Sequence, residues 1–147
     1  MHDNAYAHIH RLDASKLQKG VTHQLWLHLV NNKLGEPIRV PLSVVRGVED
    51  GPTVGITAAL HGNELNGIPV VQEVLGGLDP ATLRGTVIGV PGVNIPGLLL
   101  EQRTFNDGQD LNRLFPGRAD GTTSQVYVHR FLEGVVRQFD VLMDLHT

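Results

Sequence analysis

The chain has 147 residues, a formal net charge of -3, 41% hydrophobic and 18% charged residues, the balance of one globular domain with a sizeable core. Interspersed charge argues against a nucleic-acid footprint, and no apolar stretch approaches the roughly 20 residues that span a bilayer. There is no cysteine, so disulfides and thiolate ligands are excluded and any metal must be held by nitrogen and oxygen.

The first twenty residues are polar and hold His2, His8 and His10 in a loose, exposed group. They read as a lead-in strand or arm, without the basic-then-apolar pattern of a signal peptide, and cytoplasm is the expected compartment. Residues 21–30 alternate, with Leu25, Leu27 and Leu29 facing one way and Gln24, Trp26 and His28 the other, which predicts a strand. Residues 37–46 predict its partner across an Asn31–Gly35 turn, and Glu49-Asp50-Gly51-Pro52 reads as a second turn.

The period then changes. Residues 53–60 form a short apolar run, as expected of a strand covered on both faces. Ile68, Val71 and Leu75 have helical spacing, with Pro69 tolerable only in the first turn and Gly76-Gly77 as the stop. Residues 86–90 predict another buried strand. Residues 93–121 read as a long loop, and long loops are often functional. Thr122–Gln125 resembles a helix start, followed by Val128, Phe131, Leu132 and Val135 as an apolar stripe. Residues 141–145 predict a third buried strand. Strand–helix–strand–loop–helix–strand predicts an α/β fold: a mixed sheet with parallel core strands flanked by helices.

Chemistry gathers at strand ends. His61 and Glu64, in His61-Gly62-Asn63-Glu64, follow the first buried strand, and His146 follows the third. Ligands in open α/β sheets collect at the carboxyl ends of strands. Two His and one Glu around zinc leave a fourth position for water, whose pKa the ion would lower to about 7. His-x-x-Glu spacing alone is weak in a chain with eight histidines, and a histidine in a polar turn is usually just solvated. Asp110-Leu111-Asn112-Arg113 adds a guanidinium fork able to hold a carboxylate, though a polar turn with an incidental charge reads the same way.

His61-Gly62-Asn63-Glu64, Asp110-Leu111-Asn112-Arg113 and Asp144-Leu145-His146-Thr147 occur in an order and spacing that resembles the succinylglutamate desuccinylase/aspartoacylase family. The resemblance runs from about residue 53 to residue 147. It implies a zinc carboxypeptidase-like fold and one Zn²⁺ held by His61, Glu64 and His146. It implies that Asn112 and Arg113 bind a substrate carboxylate and that Arg103 polarises the scissile carbonyl. Asp110, with Asp144 as a competitor, would orient a ligand histidine. On this reading residues 1–52 are strands leading into the domain, and 53–147 are the N-terminal portion of a zinc hydrolase domain.

The family also uses a downstream glutamate as general base. Only Thr147 follows His146, and Glu73, Glu101 and Glu133 do not match its position. The expectation is therefore the N-terminal part of a longer enzyme, incomplete at its C-terminus, with a sheet edge left to pair with a second copy or a complementing piece. The implied activity is amide hydrolysis of an N-acyl amino acid or similar small carboxylate-bearing amide. The alternatives are a metallocarboxypeptidase acting on peptides or cell-wall stems, and a non-catalytic metal-binding fragment.

Overall fold

The computed structural model describes residues 6–147; His2 lies outside them. The elements are β1 (Ala7–Ile9), β2 (Val21–Asn31), β3 (Pro37–Arg46), β4 (Glu49–Ala58), α1 (Gly67–Gly76), β5 (Arg84–Val90), α2 (Ile95–Leu99), α3 (Thr123–Gly134) and β6 (Val141–Leu145), with short 3₁₀ turns including Leu111–Arg113. The six strands form one mixed sheet in the order β1-β2-β3-β5-β4-β6. β2 and β3 pair antiparallel, as do β3 and β5. β4 pairs parallel with β5 on one side and β6 on the other.

Alternation along the strands sorts two cores. Leu27, Leu29, Val40, Leu42, Ile88 and Val90 pack toward Tyr127, Val128 and Phe131 of α3. Val45, Ile56 and Ala58 pack toward Val71 and Leu75 of α1. The two helices therefore cover opposite faces. α3 begins with a capping box: the Thr122 hydroxyl accepts from the Gln125 backbone N–H, and the Gln125 side chain accepts in return from the Thr122 backbone N–H.

The topology explains where a site can form. The chain leaves β4, crosses by α1 to β5 on one side, then returns by α3 to β6 on the other. Loops that diverge from the carboxyl end of one central strand open a crevice there, and that crevice is the usual ligand position in parallel sheets.

Three expectations need correction. Glu49–Pro52 is not a turn but the start of β4; Glu49 pairs with Arg84, and a register shift before Thr53 accommodates Pro52. Residues 93–121 are not a featureless loop. They contain α2, whose Asn94 side chain accepts from the Gly97 N–H and whose Pro96 sits in the first turn, and five residues are too few to show a period. β6 is a strand but not a buried one: Val141, Leu142 and Met143 are 52%, 46% and 46% exposed. It lies at the sheet edge with β4 as its neighbour, and neither α1 nor α3 is centred over it.

Candidate metal centre

The loop after β4 is shaped before it reaches its polar residues. Ala59 is fully buried with φ 51°, a left-handed conformation costly for any residue with a Cβ. Ala58 and Ala59 accept from the N–H groups of Val93 and Asn94, so the segment after β5 stays zipped to this bend. The bend turns His61 inward, where it is 3% exposed. The Glu64 N–H then donates to the His61 carbonyl, which folds the carboxylate back over the imidazole.

Gly62 has a steric reason. A Cβ there would lie 2.1 Å from the carbonyl carbon of Gly97 in α2. The missing side chain lets the α2 backbone close against the His61–Glu64 turn. Asn94 completes this wall: its side-chain N–H reaches the Arg103 carbonyl at 3.4 Å, and the same carbonyl accepts from the Gly62 N–H.

His61 and His146 approach because β4 and β6 are parallel neighbours; their rings lie 5.1 Å apart between centroids. His61 Nδ1 is 2.9 Å from Glu64 Oε1, and His146 Nδ1 is 2.9 Å from Glu64 Oε2. One donor atom from each of the three residues falls within a 4.8 Å cluster. Zinc–ligand lengths of 2.0–2.1 Å place tetrahedral donors roughly 3.3 Å apart, so the cluster must draw in from its 4.8 Å span to close on an ion. The opposite ring nitrogens are also partnered: His61 Nε2 lies 3.1 Å from Asp110 Oδ1, and His146 Nε2 lies 2.7 Å from Asp144 Oδ2. Each Nε2–H donating to its aspartate leaves Nδ1 as a lone-pair donor aimed at the cluster. Asp110 and Asp144 thus do not compete for one histidine; each has its own.

Asp110 ties this clip to the opposite wall. Its Oδ1 also accepts from the Asn112 N–H, at the start of the 3₁₀ turn Leu111–Arg113, and its Oδ2 accepts from Arg103 Nη2 at 3.2 Å. A second nitrogen of Arg103 is 3.7 Å from Glu64 Oε1. Asn112 lines a cleft of about 320 Å³ whose other walls include Thr57, Phe115, Phe131, Leu142 and Asp144. The Arg113 side chain is 84% exposed, with its guanidinium 3.8 Å from Asp110. His23 and His28 bond instead to Gln18 and Asn31, and the His10 ring lies 4.8 Å from that of His28, tilted by 51°. Sequence reasoning singled out neither Thr57 nor Asn94. Asn94-Ile95-Pro96 is a helix-start signature; Thr57 shows only as a polar residue within an apolar run.

Burial alone would raise the Glu64 carboxyl, yet hydrogen bonds from His61, the Thr147 N–H and His146 hold it below its ordinary value. Asp110 is likewise lowered: burial opposes, but His61, the Asn112 N–H and Arg103 prevail. For His146, burial favours the neutral ring, but Asp144 and Glu64 raise its pKa above the ordinary 6.5. A raised histidine contributes stability that is present below its unfolded value and is lost as pH rises through its folded value. An ion and a proton compete for the same imidazole. Zinc affinity is therefore expected to hold steady at alkaline pH and fall by up to about tenfold per pH unit below the raised His146 value. Zinc titrations from pH 8.5 to 5.5 measure this, and a flat profile would contradict it.

A family model described as the succinylglutamate desuccinylase/aspartoacylase catalytic domain matches residues 50–147. The N-alpha-acetyl-L-2,4-diaminobutyric acid deacetylase of Halomonas elongata is 37% identical over 111 residues, 75% of this chain and 32% of that protein. The crystal structure of a succinylglutamate desuccinylase/aspartoacylase from Rhodobacter sphaeroides superposes with a TM-score of 0.82 at 28% identity, over 93% of this chain and 43% of the other. A metallo-carboxypeptidase from Burkholderia cenocepacia, at 22% identity and a TM-score of 0.57 over 84% of this chain and 36% of that one, shares the fold. The chain spans about a third of the curated relative and under half of these solved structures.

Proposed function

We propose, since the chain belongs to the succinylglutamate desuccinylase/aspartoacylase family, that it carries the metal-binding and carboxylate-anchoring residues of a zinc-dependent deacylase acting on an N-acyl amino acid. The observation behind this is the aim of two imidazole Nδ1 atoms at the two oxygens of one carboxylate, with an arginine and an Asn-Arg pair on the adjoining wall. The relative from Halomonas elongata is a deacetylase of an N-acetylated amino acid, which supports that substrate class.

His61, Glu64 and His146 would hold one zinc ion. When bound, such an ion acts as a Lewis acid on an amide carbonyl and acidifies water. Asp110 and Asp144 fix the ring orientations and tautomers of the two histidines. Arg103 sits 3.7 Å from Glu64, and its charge would stabilise a carbonyl oxygen on which negative charge develops. Asn112 and Arg113 would take the substrate carboxylate, the guanidinium by a paired hydrogen bond, and so place the amide over the cluster. Hydrolysis also needs a base and a proton donor for the leaving nitrogen. Glu64, Asp110 and Asp144 are engaged with histidine rings, Glu133 is paired with Arg137, and Glu73 and Glu101 are exposed on helix and loop surfaces. We assign the base to a part of the family's length that these residues do not span.

Hydrolysis assays on the natural polypeptide that carries these residues test the reading. N-acetyl and N-succinyl amino acids form one arm, and peptides with free C-termini the other. Zinc-dependent turnover is expected in the first arm, together with loss of efficiency when the substrate carboxylate is amidated. Efficient turnover of peptides alone, or indifference to amidation, would overturn it.

A further inference from the structure

We propose that Thr57 is a positioning residue for His146: its hydroxyl orients the Asp144 carboxylate, which in turn fixes the ligand imidazole. The inference rests on the metal centre described above and extends it by one residue. Thr57 is the only polar side chain in the run Val54–Leu60. It is 3% exposed, and a buried hydroxyl without a partner is costly.

Strand register supplies that partner. Thr57 and Asp144 are paired residues on the parallel strands β4 and β6, and both line the cleft on the α3 face. Thr57 Oγ1 donates to Asp144 Oδ1 at 2.6 Å, while Asp144 Oδ2 accepts from His146 Nε2 at 2.7 Å. The carboxylate is held at both oxygens, so its plane is set by a rigid central strand. The other histidine has an equivalent arrangement: Asp110 accepts from His61 while the Asn112 N–H and Arg103 hold it. Each histidine–aspartate pair therefore has its own third donor, and on the β6 side that donor is Thr57.

A hydroxyl that only satisfied a buried site would affect stability and leave metal binding alone. Competition titrations of Zn²⁺ against a chromophoric chelator separate the two. They use the natural polypeptide that carries these residues, with Thr57→Val, Thr57→Ser, Asp144→Ala and the Thr57→Val/Asp144→Ala double variant. Thr57→Val keeps the branched shape and is expected to weaken zinc roughly 3–10-fold, somewhat less than the 10–100-fold typical of partners that touch a ligand directly. Thr57→Ser should stay within about twofold of the parent, because it keeps the hydroxyl. In the Asp144→Ala background, Thr57→Val should cost less than about twofold more, since residues acting in series are not additive. Thr57→Ala carries the same expectations should Thr57→Val not fold. Parent-like zinc affinity in the hydroxyl-free variant, a serine variant as weak as the valine one, or an undiminished loss beside Asp144→Ala would each overturn the proposal. Failure of the centre itself is distinguishable: His61→Ala would then bind zinc as tightly as the parent.

Discussion

His61→Ala is expected to weaken zinc binding by more than about 100-fold while leaving most of the fold in place. Losing a residue that merely orients a ligand already costs roughly 10–100-fold, and His61 is one of three donors in the cluster. The fold should survive because the carboxylates left behind keep a counter-charge. Arg103 lies 3.2 Å from Asp110 and 3.7 Å from Glu64, and both carboxyls retain backbone N–H donors, from Asn112 and Thr147 respectively. The destabilisation should be about 1–3 kcal/mol, the cost of a lost buried partner. Zinc content after dialysis and a denaturant melt measure the two effects separately. Retained stoichiometric zinc would contradict the assignment, whereas complete unfolding would show that His61 holds the fold more than an ion.

Gly62→Ala should produce the second large effect without removing any ligand atom. The added methyl would sit 2.1 Å from the Gly97 carbonyl carbon and 2.3 Å from the Leu98 nitrogen. Both are backbone atoms, so no rotamer change relieves the contact. Either α2 or the His61–Glu64 turn must move, at a cost of about 1–3 kcal/mol for forced overpacking. Moving the turn spoils the aim of His61, so zinc affinity should fall roughly tenfold or more, comparable to losing an orienting partner. Gly97→Ala makes a useful companion, because its Cβ would strike the Asn94 side chain and the Thr104 carbonyl on the far side of the same wall. Parent-like stability and affinity in Gly62→Ala would show that the turn is looser than its packing indicates.

Much of this was legible in residue order. The hairpin of β2 and β3 followed from strict alternation, and α3 from its stripe and capping residues. His61, Glu64 and His146 could be placed near one another because strand-to-helix patterning brings strand ends to one edge. What escaped has physical causes. α2 is too short for a period, and its signal lay only in Asn94 and Pro96. Glu49–Pro52 looked like a turn because Gly and Pro usually mark one, whereas here they begin β4 beside a register shift. β6 forms as its apolar run predicts, and the open sheet edge expected for this chain is where Val141, Leu142 and Met143 lie half exposed. The partnership of Thr57 with Asp144 depends on register between strands distant in sequence, which no local pattern encodes.

Zinc K-edge absorption spectroscopy of the loaded chain, beside His61→Ala, addresses the centre most directly. The account predicts one zinc ion per chain with two imidazole nitrogens and additional oxygen ligands at about 2.0–2.1 Å, and loss of that signature in the variant. An oxygen-only shell without imidazole scattering, or an unchanged spectrum in His61→Ala, would contradict it.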